Sequence, residues 1–486
     1  MTSLDHLWID NAAHAPHSTS VFDLVNPSTE VVIGTAPAAD PADVDAAVAA
    51  ANRALSDPAW RDLTPAGRAG LLRGLADALE RRSGELADLI TTQNGMPIKM
   101  VRWGNVAGSV ASYRYFADLA EAMPVEDERV TPYSRTRVRR EPIGAVGIIA
   151  PWNGPQILVA WKLGPALASG CTAVLKPAPE TSLDAFILAE AAAEAGFPPG
   201  VLNVVTGGRD TGSALVAHPG IAKVAFTGST AAGREIAAVC GTQLKPATLE
   251  LGGKSAAILL DDVDLSAINA QVTRIFAPNS GQVCYSCTRV LVPRSRYDES
   301  VEAVVEGMRL ARLGDPMSDK TNFGPLVSAR QRQRVEDYIS IGSAEGADIA
   351  LGGGRPAELD KGFFVSPTVF RAVDNSMRIA REEIFGPVLV VIPFDDDDDA
   401  ISIANDSDYG LGGSVFTADP ERGLSVARRI ESGTVGINGY EPSLDAPFGG
   451  VKGSGMGREL GPESLDAYVE LKSIYNAPAM TTSLNP

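Results

Sequence analysis

From residue 143 onward the chain alternates between short, continuous apolar runs and longer stretches of helical periodicity. The apolar runs fall at 145–149, 173–175, 201–205 and 224–226, and the helical stretches between and after them at 157–169, 183–195, 211–218 and 232–239. A strand that is apolar on both faces needs cover on both sides, so this alternation predicts parallel strands sandwiched by helices, the doubly wound arrangement. Two amphipathic helices precede it. Asp40 and Pro41 supply a cap and a first helical residue ahead of the stripe Val44, Ala47, Val48, Ala51 and Leu55. Thr64 and Pro65 repeat the signal ahead of Leu71, Leu72, Leu75, Leu79, Leu86 and Ile90.

A second α/β segment is expected from about residue 254 to about 453. Between 124 and 141 the pattern is different: Val130, Tyr133, Thr136 and Val138 alternate among Arg135, Arg137, Arg139 and Arg140. That reads as an exposed two-stranded arm. The tail after Leu471 reads as short and turn-rich. The acidic run Asp395–Asp399 reads as the start of a helix carrying Ile401, Ile403 and Ala404, where the helix dipole favours negative charge.

Composition narrows the class. At 486 residues the chain exceeds what one core serves, so two or three domains are expected. A net charge of −18 argues against nucleic acid as a partner, because phosphate binding needs clustered Lys and Arg. The longest apolar stretch, about 146–170, is broken by Pro151, Asn153, Pro155, Lys162 and Pro165, so no membrane span is expected. The first ten residues carry neither a basic nor an apolar signal region, and four cysteines make no disulfide framework. A reducing, cytoplasmic compartment is expected.

The chemistry concentrates at Phe276-Ala-Pro-Asn-Ser-Gly-Gln-Val-Cys284-Tyr-Ser-Cys287-Thr-Arg289. By itself the C-x-x-C pair suggests a thiol–disulfide site or half a zinc site. His6, His14, His17 and His218 offer no pair at ligand spacing, so no metal is expected. Cys171 and Cys240 read as small buried apolar residues.

Cys284 has company that changes its reading. Pro151-Trp152-Asn153, Val-Leu-Lys176-Pro, Phe226-Thr-Gly228-Ser229-Thr-Ala-Ala-Gly233 and Glu250-Leu-Gly-Gly-Lys254 precede it. Glu383-Ile-Phe385-Gly-Pro387 and Pro447-Phe-Gly-Gly-Val-Lys-Gly-Ser-Gly455 follow. In this order and spacing, over nearly the whole chain, the set resembles the aldehyde dehydrogenase superfamily. The resemblance implies NAD(P)-dependent oxidation of an aldehyde to an acid. Cys284 matches the nucleophile, Asn153 the amide that holds the oxyanion, and Glu250 the general base. Lys176 matches a ligand of the adenosine ribose, and Glu383 and Phe385 match the pair at the nicotinamide ribose. Gly228, Ser229 and Gly233 match the turn and helix start beside the pyrophosphate, and Trp152 is similar to a residue lining the cofactor cleft.

The resemblance also implies an architecture. A Rossmann-like cofactor domain is expected at 1–123 and 142–252, and a second α/β catalytic domain at 253–453. A small β oligomerisation arm is expected at 124–141 with the tail 454–486, serving a homodimer or homotetramer. Two departures bear on specificity. Pro179 stands where many relatives carry a glutamate, with Glu180 next to it; an acid there favours the 2′-hydroxyl of NAD and repels the 2′-phosphate of NADP. NAD is favoured, with NADP kept open. Gly154 stands where relatives often carry an aromatic ring in the substrate funnel, which predicts a wider funnel and a bulky or hydrophobic aldehyde. Trp161 reads equally as core or as funnel wall.

Other readings are an acylating semialdehyde dehydrogenase using coenzyme A, a non-catalytic relative, and a thiol–disulfide oxidoreductase at Cys284 and Cys287. The first typically lacks the base that Glu250 matches, and the second predicts damage at Cys284, Asn153 or Glu250, all of which are present. One pair of variants separates the third. Cys284→Ala should abolish aldehyde oxidation, whereas Cys287→Ser should keep most of it; a folded but inactive Cys287→Ser would favour the redox reading.

Overall fold

The continuous apolar runs pair as parallel strands. Ala145–Ile149, Thr172–Lys176, Leu202–Val204, Lys223–Thr227 and Ala247–Glu250 form the centre of an eight-stranded sheet, and every residue of the first four is buried. This computed structural model describes residues 4–131 and 134–476. Tyr133 of the expected arm and the tail beyond Asn476 lie outside the described residues.

The order of these strands places the site. From Ala145–Ile149 the chain builds outward on one side through Thr172–Lys176 to Leu202–Val204. It then returns to add Lys223–Thr227 and Ala247–Glu250 on the other side. The switch lies between Ala145–Ile149 and Lys223–Thr227, which are paired directly. In such sheets the crevice beyond the carboxyl ends of the strands at the switch is where ligands bind. Trp152 and Asn153 follow the first of these strands, and Gly228 follows the second. Lys176 and Glu250 are the last residues of their strands.

A second sheet of seven strands runs in the order Asp348–Leu351, Thr368–Arg371, Val388–Phe394, Arg289–Pro293, Ala256–Leu259, Gly413–Phe416 and Gly436–Ile437. Here the chemistry-bearing residues precede their strands. Cys284 lies just before Arg289–Pro293, and Glu383 and Phe385 lie just before Val388–Phe394. The carboxyl ends of one sheet therefore supply half of the site and the amino ends of the other supply the rest.

The capped helices form as expected. Asp40 accepts from the backbone of Ala42 and Asp43 at 2.9 and 3.1 Å, and the Asp43 side chain returns a bond to Asp40 N at 3.0 Å. Such caps contribute about 1 kcal/mol. The stripe Val44, Ala47, Val48 and Ala51 is buried, with Leu55 half-buried at its end. The acidic run also starts a helix, Asp397–Asn405, with Asp396 capping Asp399 N.

The tail differs from its expected turn-rich character. Val469–Asn476 is an eight-residue strand paired antiparallel along Ser134–Pro142, so the arm Glu126–Thr131 and Ser134–Pro142 gains a third strand. Nearly all of this strand is exposed, so it carries no contrast between a buried and a solvated face, and its partner lies more than 300 positions earlier in the chain. Gly455–Met456, within the stretch expected as tail, instead pairs with Ala247–Glu250 at the edge of the first sheet.

Candidate active site

Cys284 reaches the crevice on a tightly turned segment. Asn279 and Ser280 hold left-handed backbone at φ 49° and 55°, and Gly281 follows at φ 75°. A Cβ on Gly281 would lie 1.9 Å from the Gly386 carbonyl oxygen, so the turn presses directly onto the Glu383–Pro387 loop. On the other side, a Cβ on Gly253 would lie 2.5 Å from the Cys284 carbonyl oxygen. Gln282 pins the turn from within: its side-chain oxygen accepts from Val327 N at 3.0 Å, and its carbonyl accepts from Asn153 Nδ2 at 3.0 Å. This last bond brings Asn153 beside the cysteine loop from the opposite sheet. Asn94 Nδ2 donates to the Trp152 carbonyl at 2.5 Å and holds the same loop from behind.

The electrostatics are those of acids that no cation among the described residues touches. Burial pushes the Cys284 thiol up to about 12, and Glu383 and Glu250 add to the rise. Both carboxyl oxygens of Glu250 are buried without a hydrogen-bond donor. Burial foremost, and then repulsion from Glu459, hold this carboxyl well above the usual range, although Lys162 and Arg458 pull it down. Glu459 is paired with Lys162 at 2.7 Å, with both side chains almost wholly buried, and Lys162 also donates to Thr227 Oγ1 at 2.6 Å. Burial thus favours the uncharged form of Glu250, and the thiol rests protonated. Cys287 is fully buried in the core of the second sheet, with its thiol also pushed up to about 12 by burial, and all four cysteines are free.

The residues expected to hold a dinucleotide line the same crevice. Lys176 Nζ donates to the Pro177 and Gly207 carbonyls at 3.0 and 2.9 Å, and burial brings its pKa down to about 8. Ser229 is exposed and caps the Thr230–Thr242 helix through Ala232 N; Gly228 N donates to the Glu250 carbonyl at 3.0 Å, and Gly233 is buried in the helix's first turn. Glu383 accepts from Gly253 N at 3.0 Å, and burial raises it to about 7. The ring of Trp152 meets that of Phe385 edge-on at 5.3 Å. Phe385 itself has φ 64°, and its carbonyl accepts from Gln331 Nε2 at 2.8 Å. These groups suit a dinucleotide. A helix start offers amides to phosphate, and at opposite ends a carboxylate with one oxygen unclaimed by any described donor and a lysine suit ribose hydroxyls.

An aromatic ladder flanks the cysteine. Trp161 packs on Phe448 at 5.4 Å, Phe448 meets Tyr285 at 6.2 Å, and Tyr285 stacks on Tyr440 at 4.8 Å. The expected widening at Gly154 is offset: Ile157 and Leu158 close over it, each about 3.1 Å from where a Cβ would stand. Lys162, Glu459, Asn94 and Gln331 were not legible as site residues. Lys162 did interrupt an apolar helix, a signal that a buried charge needs a partner, but nothing in the sequence pointed to Glu459 as that partner.

The comparisons agree with this geometry. A profile of the Aldehyde dehydrogenase family matches residues 14–474. A geranial dehydrogenase of Castellaniella defragrans is 52% identical over 97% of this chain and 98% of its own. An aminoaldehyde dehydrogenase of Arabidopsis thaliana is 42% identical over 96% and 95%. The crystal structure of a Mycobacterium tuberculosis aldehyde dehydrogenase complexed with NAD+ is 46% identical and superimposes with a TM-score of 0.95, covering 97% of this chain and 98% of that one. A parallel-sheet crevice with groups that suit a dinucleotide beside a half-buried cysteine fits an aldehyde-oxidising enzyme. The chain belongs to the aldehyde dehydrogenase family.

Gly281 tests the close approach on which the site is built. Gly281→Ala adds a methyl group inside the Gly386 carbonyl and a left-handed penalty of ~1–2 kcal/mol. It should lower the melting temperature and abolish activity together, whereas Gly241→Ala, which meets nothing within 4 Å, should change neither measurably.

Proposed function

We propose that Cys284 gives up its thiol proton to solvent and attacks the aldehyde carbon as the thiolate, that Asn153 and the Cys284 backbone N–H hold the resulting oxyanion, and that Glu250 activates the water that releases the acid. The observation that carries this reading is the Asn153 amide bonded to Gln282 O, which brings the one side-chain donor of the oxyanion site to the nucleophile's own loop. An amide has two N–H groups, so the second remains for the substrate oxygen. Removing such a donor typically costs about 2.7–4 kcal/mol of barrier. Carbon–sulfur bond formation moves the carbonyl pair onto oxygen. Lys176, Ser229 and Glu383 would hold NAD, which would supply the hydride acceptor for the aldehyde carbon. Cys284 is then held as a thioester. Glu250 takes a proton from water, the hydroxide adds to the thioester carbon, and the carbon–sulfur bond breaks to return the thiolate and the acid. Glu250 distinguishes this route from transfer to coenzyme A, and the burial of Cys287 disfavours a disulfide exchange.

A bulky, hydrophobic aldehyde suits the ladder of Trp161, Phe448, Tyr285 and Tyr440, and the relative named geranial dehydrogenase points the same way. NAD is the favoured cofactor. Glu180 is paired with the exposed Arg330 at 3.3 Å, so its charge is partly spent and NADP stays open as a poorer alternative. Residues 1–123 and 142–252 serve as the cofactor domain and 253–453 as the catalytic domain. The three-stranded arm serves a homodimer or homotetramer, a reading supported by its exposed Val130, Leu471, Ile474 and Tyr475. Among the described residues no helix is long and apolar enough to cross a membrane.

Two measurements test this function. Glu250→Gln should release about one equivalent of reduced cofactor in a burst and then turn over slowly, leaving an acyl adduct on Cys284 visible by mass spectrometry. Because the pKa of Glu250 is raised, the steady rate of the parent should climb with pH as the base form appears, and the variant's steady rate should lose that climb. Absence of both burst and adduct would place Glu250 before hydride transfer. In a panel of aldehydes, kcat/KM for long-chain or aromatic substrates should exceed that for acetaldehyde, by roughly 0.8 kcal/mol per buried CH₂. Gly154→Phe, which must displace Ile157 and Leu158, should depress all substrates alike.

A further inference from the structure

Asp184, the first residue of the Asp184–Glu194 helix, is 1% exposed and has no role in the chemistry described so far. Its carboxylate accepts from Gln93 Nε2 at 2.5 Å and from Gln156 Nε2 at 2.6 Å, and Gln156 Nε2 also reaches the Asp184 carbonyl at 3.0 Å. Among the described residues no cation pairs with it. Burial pushes its pKa up to about 6, against the pull of the two amides, so at neutral pH the fold carries a buried charge at a cost to its own stability. An uncharged side chain would be the cheaper occupant.

Its two partners stand on either side of the loop that carries Asn153. Gln156 is three residues beyond Asn153, in the first turn of the Pro155–Ala168 helix. Gln93 precedes Asn94, whose amide holds the Trp152 carbonyl. Gln93 is fixed further by its oxygen, which accepts from Leu183 N at 3.2 Å. We propose that Asp184 is a positioning residue for aldehyde oxidation: by gripping Gln156 on one flank and Gln93–Asn94 on the other, it holds the Trp152–Asn153 loop so that the Asn153 amide stays bonded to Gln282 and directs its second N–H at the oxyanion. The proposal rests on the reading of Asn153 as an oxyanion donor.

The charge is what the grip requires. Two amide NH₂ groups converge on one side chain, and only an ionised carboxylate is an acceptor at both oxygens. Asparagine presents an acceptor on one side and an NH₂ on the other, so one glutamine must turn its oxygen inward. Gln93 cannot turn over, because its oxygen is engaged by Leu183. The Gln156 side-chain oxygen is buried without a partner, so Gln156 is the side chain that turns. Turning takes Gln156 Nε2 off the Asp184 carbonyl and sets its oxygen against that carbonyl, so the loss falls on the Asn153 side of the network.

The test is a double-mutant cycle on the holoenzyme, reading the rate of the cofactor-reduction burst, the KM for NAD and the melting temperature at pH 8. Asp184→Asn should slow the burst about tenfold, the equivalent of one lost hydrogen bond in the transition state, with KM for NAD within about twofold. Its melting temperature should be unchanged or higher, because a buried charge has gone. Gln156→Met, which keeps the length but removes the donor, should show the same slowing. Asn153→Ala should cost about 10²–10³-fold, and adding Asp184→Asn to it should cost nothing further, because the route through Asn153 is already lost. The proposal is overturned if Asp184→Asn leaves the burst unchanged, if it subtracts the same factor in the Asn153→Ala background, or if activity falls only in step with stability. A fully active Asn153→Ala would instead refute the oxyanion reading itself and the proposal with it.

Discussion

The site depends on a close approach of backbone to backbone. The turn before Cys284 lies against the Glu383–Pro387 loop at Gly281, and its carbonyl lies against the Glu250–Lys254 segment at Gly253, in each case nearer than any Cβ permits. Through these contacts the amino ends of one sheet meet the carboxyl ends of the other, and Cys284, Glu250 and Glu383, the proposed nucleophile, base and ribose ligand, share one crevice. The left-handed Asn279 and Ser280 are the strain accepted for that path, and strained backbone of this kind persists only where surrounding contacts over-determine it. Gln282 supplies them, with a bond to Asn279 and bonds from Val327 and Asn153.

Burial sets the second condition. Cys284, Glu250 and Glu383 are all raised by loss of solvent, and none is paired with a cation at contact distance. A carboxyl raised by burial is a stronger base in its ionised form, as general base chemistry at Glu250 needs. The one nearby charge pair, Lys162 with Glu459, is spent internally. Its carboxylate raises Glu250 and its ammonium lowers it, so its net effect is to moderate rather than to neutralise.

Much of this was legible from residue order. The parallel sheet followed from continuous apolar runs, because a strand covered on both faces leaves no polar positions. The capped helices at Asp40 and Thr64 followed from local bonds between neighbours in the chain. Cys284, Asn153 and Glu250 were recognisable because their motifs are local and appear in a fixed order. The tail strand Val469–Asn476 was not, because an exposed strand has no buried face to read and its partner is distant. The filling of Gly154 by Ile157 and Leu158 was also hidden, since whether a missing side chain leaves space depends on which rotamers its neighbours adopt.

The sequence by itself determined most of the element types, the family and the identity of the candidate groups for the chemistry, since propensity, capping and motif spacing all act over a few residues. Tertiary structure decided which groups stand without partners and which share a charge. Glu250 lacks a donor, Lys162 is matched to Glu459, and Asp184 gathers Gln93 and Gln156 from separate helices. Desolvation and hydrogen-bond pairing are properties of position in space, and the residues that set them here lie from 28 to nearly 300 positions apart in the chain.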